Sequence, residues 1–292
     1  KVTREHGVGL YIHYSGIWDR AAMEHHPEWA QVDENGAPHA EIASSSGPYV
    51  DELLIPQLRE VTSAYDLDGV WVDGDCWAAG LDYSEAARAK WKDETGDADP
   101  PKSPSDLRWE DWKAFQRRQF EAYVCHYIDA LHAFNPRLQL TSNWLYTTMA
   151  PMPVVAKLDY LSGDVSPNGH QIDMARIDAR YLANSEMPWD LMSWGQAHRN
   201  LKPVAQLEQE AAAVLMQGGG YQIYYNPTRA GYILEDVIET AGQVADFCRA
   251  RQEVSHKSVS VPQVALLLSS TSQFNRSDSP LHNAGQLTEV EG

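Results

Sequence analysis

Six short segments rich in β-branched and aromatic residues alternate along most of this chain with stretches whose apolar residues recur at helical spacing. The strand-like segments are residues 8–15, 69–73, 138–143, 158–162, 189–194 and 221–225. The main helical stretches are residues 50–61, 112–131, 206–217 and 233–251. Such alternation is typical of parallel βαβ units with right-handed crossovers, so the chain is predicted to form an α/β fold.

Two α/β architectures fit this pattern, an open doubly wound sheet and a closed barrel. The open sheet is disfavoured because no Gly-x-Gly-x-x-Gly turn follows any strand, and Gly218-Gly219-Gly220 precedes its strand. A closed barrel has eight βα units. We therefore expect a (β/α)8 TIM-type barrel whose first two strands are absent from this chain.

The composition changes after Arg251, where Ser, Val and His become frequent, and Pro262 precedes another apolar segment at residues 264–268. We expect a catalytic barrel over residues 1–251, a linker over 252–263 and the beginning of a second α/β domain over 264–292. The chain starts at Lys1 and shows no signal-like apolar segment before its first strand, so we expect a fragment. The compartment, cytoplasmic or secreted, stays open.

Charge and composition narrow the classes of partner. The formal net charge is −18, from 41 acidic and 23 basic residues, and a field of this sign repels nucleic acid and anionic lipid. No stretch approaches the roughly 18 apolar residues of a membrane span. The three cysteines are far apart in sequence, and we expect neither a metal site nor a cofactor. The sequence is compatible with a homo-oligomer.

Aromatic residues point to a carbohydrate partner. The chain has 10 Trp and 14 Tyr against 5 Phe, so rings that carry a hydrogen-bonding edge are favoured over plain hydrocarbon. Sugars have apolar faces and hydroxyl rims that suit such side chains. Packing in the core is the alternative role for each ring.

Polar and aromatic residues follow or end the predicted strands. They are His13, Tyr14, Trp18, Asp73, Asp75, Trp77, Asn143, Trp144, Asp164, Trp194 and Tyr225. In a barrel the carboxyl ends of all strands meet at one mouth. Carboxylates, amides and aromatic rings without a Cys or His cluster suit glycoside hydrolysis, in which a retaining enzyme needs two carboxyl groups about 5 Å apart.

Other chemistries fit less well. A serine hydrolase requires a Gly-x-Ser-x-Gly elbow and phosphoryl transfer a Walker loop, and the sequence contains neither. The Asp73-Gly74-Asp75 pair is an alternative site for Mg²⁺ or Mn²⁺, because hard cations bind clustered carboxylates.

Four segments resemble the α-L-fucosidases of glycoside hydrolase family 29 and related uncharacterised glycosidase-like proteins. Residues 7–15 (GVGLYIHYS) resemble the third barrel strand of that family, and residues 69–73, which end in Trp-Val-Asp, resemble its nucleophile strand. Residues 188–195 (PWDLMSWG) and 218–227 (GGGYQIYYNP) resemble two later segments in the same order. The resemblance implies a barrel with two preceding strands and a nucleophilic role for Asp73.

The remaining roles are assigned from position in the chain. We expect Asp75 to contact substrate hydroxyls or to tune the pKa of Asp73. The first candidate for the general acid is Asp164, which follows its strand, and the second is Asp190, which also counts among the substrate-binding candidates. Glu186 precedes its strand and would lie at the opposite end of the barrel.

The sequence thus predicts a retaining, α-L-fucosidase-like glycoside hydrolase that releases a terminal sugar from oligosaccharides or glycoconjugates. Substrate contacts are expected from His13, Tyr14, Asn143 and the aromatic residues named above. At two positions the chain departs from the family: Asp190 replaces a Glu, and residues 221–225 replace an apolar run. The alternatives are a catalytically inactive carbohydrate-binding barrel and a glycosidase of a different clan and sugar specificity.

Overall fold

A computed structural model describes residues 2–165, 171–194, 202–277 and 279–281. The strands are β1 (Tyr11–Tyr14), β2 (Ala30–Val32), β3 (Pro38–Ala43), β4 (Gly69–Val72), β5 (Gln139–Ser142), β6 (Leu161–Val165), β7 (Trp189–Ser193) and β8 (Gly220–Ile223). The helices are α1 (Val2–Glu5), α2 (Arg20–His25), α3 (Ile55–Ala64), α4 (Glu85–Thr95), α5 (Trp109–Phe134), α6 (Gln171–Leu182), α7 (Val204–Leu215), α8 (Glu235–Arg249), α9 (Gln252–Ser255) and α10 (Ser270–Asn275). A 3-10 turn (Pro27–Trp29) and a π turn (Val50–Leu54) precede β2 and α3.

The parallel strands form two three-stranded sheets in the described part of the chain. One has the order β1-β4-β5 and the other β6-β7-β8, and every pair within them is parallel. The α/β class and the parallel strands are therefore confirmed. Closure of these strands into a barrel and the absence of two preceding strands stay predictions.

The chain divides into two compact units. Among the described residues, the first unit contains those in 2–143, 149–159 and 269–281, and the second contains those in 144–148 and 160–268. This division differs from the boundary expected at Arg251, and the predicted second domain stays a prediction. The segment at 264–268 has no strand, and Val264, Leu266 and Leu267 are highly exposed.

Helix α3 packs on the long helix α5, whose apolar side chains recur at helical spacing and are buried. Trp112 and Phe115 of α5 stack with ring centroids 5.3 Å apart and join Tyr83 and Trp91 in one cluster. Each fully buried aromatic side chain contributes roughly 2 to 3 kcal/mol relative to exposure. This cluster joins α4, α5 and the segment between β4 and α4.

A β-hairpin, β2 and β3, lies between the predicted strand at residues 8–15 and the predicted helical stretch at residues 50–61, where the sequence predicts no regular element. Its turn contains Asn35-Gly36, and Gly36 has φ +89°, a backbone conformation that suits glycine. The sequence analysis also missed α4, which begins at its N-cap Ser84 and ends at Gly96 with φ +79°. Both elements carry local signals, but their apolar patterns are short.

Candidate active site

Asp73 follows the central strand of the first sheet. All four residues of β4 are buried, and β4 has a parallel neighbour on either side. The Asp73 backbone N–H donates to the carbonyl of Tyr14 at 2.7 Å, and that of Asn143 donates to the carbonyl of Val72 at 2.7 Å. The ladder hydrogen bonds thus continue past the strand ends and hold Asp73 beside the residues that end β1 and follow β5.

Three side chains contact the Asp73 carboxylate. The indole N–H of Trp77 and the amide N–H of Asn143 each donate to Oδ1 at 3.2 Å. Nε2 of His13 lies 3.4 Å from Oδ2, and the His13 ring packs on Trp71 with centroids 5.1 Å apart. The structure therefore brings together four residues that the sequence predicted for one site: His13, Asp73, Trp77 and Asn143.

The surroundings of Asp73 favour its charged form. Partial burial raises the pKa of its carboxyl, but the hydrogen bonds with His13, Asn143 and the Gly74 backbone outweigh that effect, so the pKa lies below its ordinary value. About a quarter of the side chain, 27 %, stays exposed. An ionised, oriented and accessible carboxylate is what a nucleophile at a sugar carbon requires.

Asp75 occupies a different environment although it lies two residues further along. Its side chain is buried, and it accepts hydrogen bonds from the Ile17 backbone N–H at 2.9 Å and from the hydroxyls of Tyr123 and Tyr127 at 3.1 Å each. Burial raises its pKa to about 7 despite these donors, and the charge of Asp73 adds to the increase. This corrects the expected contact with sugar hydroxyls: Asp75 connects the loop after β1 to α5.

Two glycines allow that connection. Gly74 has φ +71°, and a Cβ added there would meet the carbonyl oxygen of Ser15 at 2.4 Å. Gly16 has φ +60°, and a Cβ added there would lie 2.0 Å from Oδ1 of Asp75. Both positions combine a left-handed backbone with close approach, so only glycine fits without rearrangement.

Tyr14 and Trp18 lie on different sides of β1's end. The Tyr14 hydroxyl donates to Oε1 of Gln57 in α3 at 2.5 Å, and burial raises the Tyr14 pKa to about 12. Strand alternation puts Tyr14 on the side of β1 opposite His13, where it faces α3, and its contact with substrate stays a prediction. Trp18 is 42 % exposed and meets the Trp77 ring edge to face at 5.0 Å.

The second unit carries the candidates for the general acid. Asp164 lies within β6 rather than after it, which corrects the predicted strand bounds. The indole N–H of Trp144 donates to its Oδ2 at 2.6 Å. The Trp144 backbone has φ +72° and donates its N–H to the carbonyl of Ser162 at 2.9 Å, so the loop after β5 holds the indole against β6.

Asp190 shares one face of the second sheet with Asp164. Cross-strand register pairs Ser162 with Asp190, and alternation puts Ser162 and Asp164 on the same face. Asp190 accepts from the hydroxyl of Ser162 and the amide of Gln222, both at 2.6 Å. Burial raises its pKa to about 6, although both hydrogen bonds oppose the shift. Asp190 thus has the raised pKa that a general acid needs.

The other predicted residues of this unit are also placed by the structure. Trp194 directly follows β7 and is half-buried, and its indole nitrogen has no acceptor among the described residues. Tyr225 lies two residues beyond β8, half-buried. Glu186 is exposed in the turn before β7 with φ +60°, at the strand end opposite the one that carries Trp194.

Metal-binding clusters and membrane-spanning helices are both absent from the described residues. No group of three or more His, Cys, Asp or Glu side chains there is arranged to hold a metal ion. In the same residues, no helix has both the length and the apolar character of a membrane-spanning segment.

Comparison with solved structures identifies the fold. The chain is similar to α-L-fucosidase isoenzyme 2 from Paenibacillus thiaminolyticus, with a TM-score of 0.76 and 22 % identity over 91 % of this chain. It is also similar to a β-galactosidase from Rahnella sp. R3, with a TM-score of 0.65 and 17 % identity over 88 % of this chain. The chain spans 41 % and 48 % of the lengths of these two proteins.

No protein-family model and no curated protein sequence matches the chain. At these identities the likeness concerns the fold, and it confirms the resemblance that the four sequence segments indicate. The protein has an α/β fold with parallel strands that matches the structures of glycosidases.

Proposed function

We propose that this protein is a retaining glycoside hydrolase, α-L-fucosidase-like, that releases a terminal sugar from oligosaccharides or glycoconjugates with Asp73 as its nucleophile. The observation that carries the proposal is the Asp73 carboxylate, which is accessible at the end of a buried strand and is held ionised by its neighbours. The fold shared with an α-L-fucosidase supports it.

The reaction has two steps. In the first, an Asp73 oxygen attacks the anomeric carbon while the bond from that carbon to the leaving oxygen breaks, and a carboxylic acid gives that oxygen a proton. In the second, water attacks the glycosyl-enzyme ester, the same acid group regains a proton from the water, and the Asp73 carboxylate is released. The sugar leaves with retained configuration.

The side chains around Asp73 have separate tasks in this proposal. Trp77 and Asn143 donate to one oxygen, Oδ1, and so leave Oδ2 and its neighbour His13 toward the substrate. Fixing the carboxylate in this way reduces the reorganisation needed for attack. His13, with its side chain 51 % exposed, is placed to bind a sugar hydroxyl.

The general acid is proposed to be Asp164, with Asp190 as the second candidate. Asp164 lies further toward the carboxyl end of its sheet and holds the Trp144 indole. Asp190 has the raised pKa, but its two oxygens already accept hydrogen bonds from Ser162 and Gln222.

The experiment that tests the proposal is a panel of aryl glycosides, with 4-nitrophenyl α-L-fucoside first, assayed with the wild-type protein and with Asp73→Gly. We expect turnover by the wild type, a loss of about a thousandfold or more in the variant, and partial recovery with azide, which enters the space left by the carboxylate. The matched control is Asp129→Asn, an exposed carboxylate that pairs with Lys157.

Two results would overturn the proposal. If Asp73→Gly keeps near wild-type turnover, Asp73 is not the nucleophile. If the wild-type protein turns over no glycoside but binds saccharides, the catalytically inactive carbohydrate-binding protein replaces the hydrolase.

A further inference from the structure

The β2–β3 hairpin brings a carboxylate, Glu41, to the aromatic side of the Asp73 site. The hairpin is attached to the loop after β1: the Asp19 N–H donates to the Glu41 carbonyl at 2.8 Å and the Ala43 N–H to the Ile17 carbonyl at 2.8 Å. Trp18 pairs with Ile42 as an isolated antiparallel bridge. The backbone of Trp18 is thereby fixed as an extension of the hairpin.

The Trp18 side chain is fixed as well. Its indole N–H donates to Oε2 of Glu41 at 3.2 Å, and the Glu41 carboxylate is in turn 3.8 Å from the guanidinium of Arg20. A hydrogen bond to a charged acceptor is stronger than one between neutral groups. Glu41 therefore sets the orientation of an indole that still exposes 42 % of its surface.

The contact between the Trp77 and Trp18 rings relates Trp18 to Asp73. Trp77 donates to Asp73 and is half-buried, whereas Trp18 contacts Trp77 edge to face and is exposed to 42 %. We infer that Trp77 flanks the sugar that Asp73 attacks and that Trp18 lies one ring further toward the solvent. In an enzyme that removes a terminal sugar, the next ring outward from the attacked sugar belongs to the leaving group. An exposed indole one ring away is a stacking surface of the size of a sugar ring.

We propose that Trp18, oriented by Glu41, is the binding platform for the leaving-group sugar, so that the β2–β3 hairpin makes the protein selective for substrates with a second sugar ring. This inference rests on the proposed function and names a further specificity-determining residue, Trp18, together with its positioning residue, Glu41. Glu41 lies in β3, outside the strands and helices that the sequence predicts.

The test compares two substrates of whichever terminal sugar the glycoside panel identifies: a disaccharide, and the glycosyl fluoride, whose leaving group has no ring. We expect Glu41→Ala to raise KM for the disaccharide about threefold to tenfold with little change in kcat, because a mobile indole stacks less well. Trp18→Ala should lower kcat/KM for the disaccharide by at least as much. For both variants, the loss of kcat/KM with the disaccharide should be several times larger than the loss with the glycosyl fluoride.

Conservative and distant variants separate positioning from general damage. Glu41→Gln keeps an oxygen acceptor for the indole and should restore KM to within about twofold of the wild type. Glu34→Gln, at the hairpin turn, is the matched control and should leave kcat and KM unchanged for both substrates. Equal losses on disaccharide and fluoride in Glu41→Ala, or no rescue by Glu41→Gln, would overturn the inference.

Failure of the proposed function has a different signature. If the wild type turns over no substrate, calorimetry of the disaccharide and its terminal monosaccharide still reports on the platform. If Trp18→Ala loses affinity for both sugars, or for neither, the platform role of Trp18 is wrong. If it loses affinity for the disaccharide alone, Trp18 is the platform of a protein that binds saccharides without cleaving them.

Discussion

The two parallel sheets hold carboxylates in opposite ways. In the first unit, Asp73 receives N–H donors from Trp77 and Asn143 and has a lowered pKa. In the second unit, Asp190 is half-buried between Ser162 and Gln222 and has a pKa raised to about 6. The difference teaches that environment, and not residue type, sets the pKa of a carboxyl group. Under the proposed function this matters because glycoside hydrolysis needs one charged and one protonated carboxyl group.

The largest expected effect comes from removing the proposed general acid, Asp164. We expect Asp164→Asn to lower kcat about a hundredfold for aryl glycosides with poor leaving groups and only a fewfold for activated ones, because an activated leaving oxygen needs no proton. Steady-state kinetics with a series of aryl glycosides measures the effect as the slope of log kcat against the pKa of the phenol that leaves.

Asp190→Asn is the matched variant for that series, since it keeps an acceptor for Ser162. If Asp190→Asn shows the leaving-group dependence and Asp164→Asn does not, the acid is Asp190. In that case the raised pKa, rather than position along the strand, identifies the acid.

A smaller effect is expected from the donors on Asp73. Asn143→Ala removes one N–H donor, and Asn143→Asp also adds a like charge, so both raise the Asp73 pKa. The acid limb of kcat/KM should move to higher pH, further for Asp than for Ala, and activity at pH 5 should fall about tenfold in the Asp variant. A pH profile from 3 to 8 checks this, and an unmoved acid limb would show that the donor does not stabilise the charged form.

The smallest effect concerns stability in the second unit. Asp178 of α6 is buried and accepts a hydrogen bond from the Thr148 hydroxyl, and burial raises its pKa from 3.8 to about 7. The folded state keeps this proton where the unfolded state releases it, so the native state loses stability as pH rises from about 4 to about 7.

Asp178→Asn should therefore stabilise the protein by about 1 to 2 kcal/mol at pH 8 and leave it nearly unchanged at pH 4. Urea unfolding at the two pH values measures the difference, with exposed Asp129→Asn as control. The same change in the free energy of unfolding at both values would mean that titration of Asp178 does not contribute.

The sequence was sufficient for the strand that carries Asp73, because four consecutive apolar or glycine residues before an Asp-Gly turn have few other uses in an α/β chain. The sequence also predicts Asn143 and Trp77 for the same site as Asp73, but as substrate contacts. Their hydrogen bonds to the Asp73 carboxylate depend on side-chain orientation in the loops after β4 and β5, which strand periodicity does not determine.

Asp75 could not be predicted in the same way. Strand alternation assigns it to the side of Asp73, but the chain leaves extended geometry at Gly74, whose φ is +71°, and the carboxylate turns into the core. The bounds of β6 depend on its partner, since Leu161 donates its N–H to the carbonyl of Pro188. Pairing with β7, and not the apolar run, decides that Asp164 lies inside the strand.

The close packing around Gly16, Gly74 and Asp75 predicts which substitutions a mutational scan would tolerate. A selection for abundance alone should reject nearly every residue at these three positions, yet tolerate most polar residues at Asp73, whose proposed role is chemical. A selection for sugar release should reject changes at all four. The neighbouring positions 73, 74 and 75 would then differ sharply, with Gly74 and Asp75 required for folding and Asp73 required for the proposed reaction.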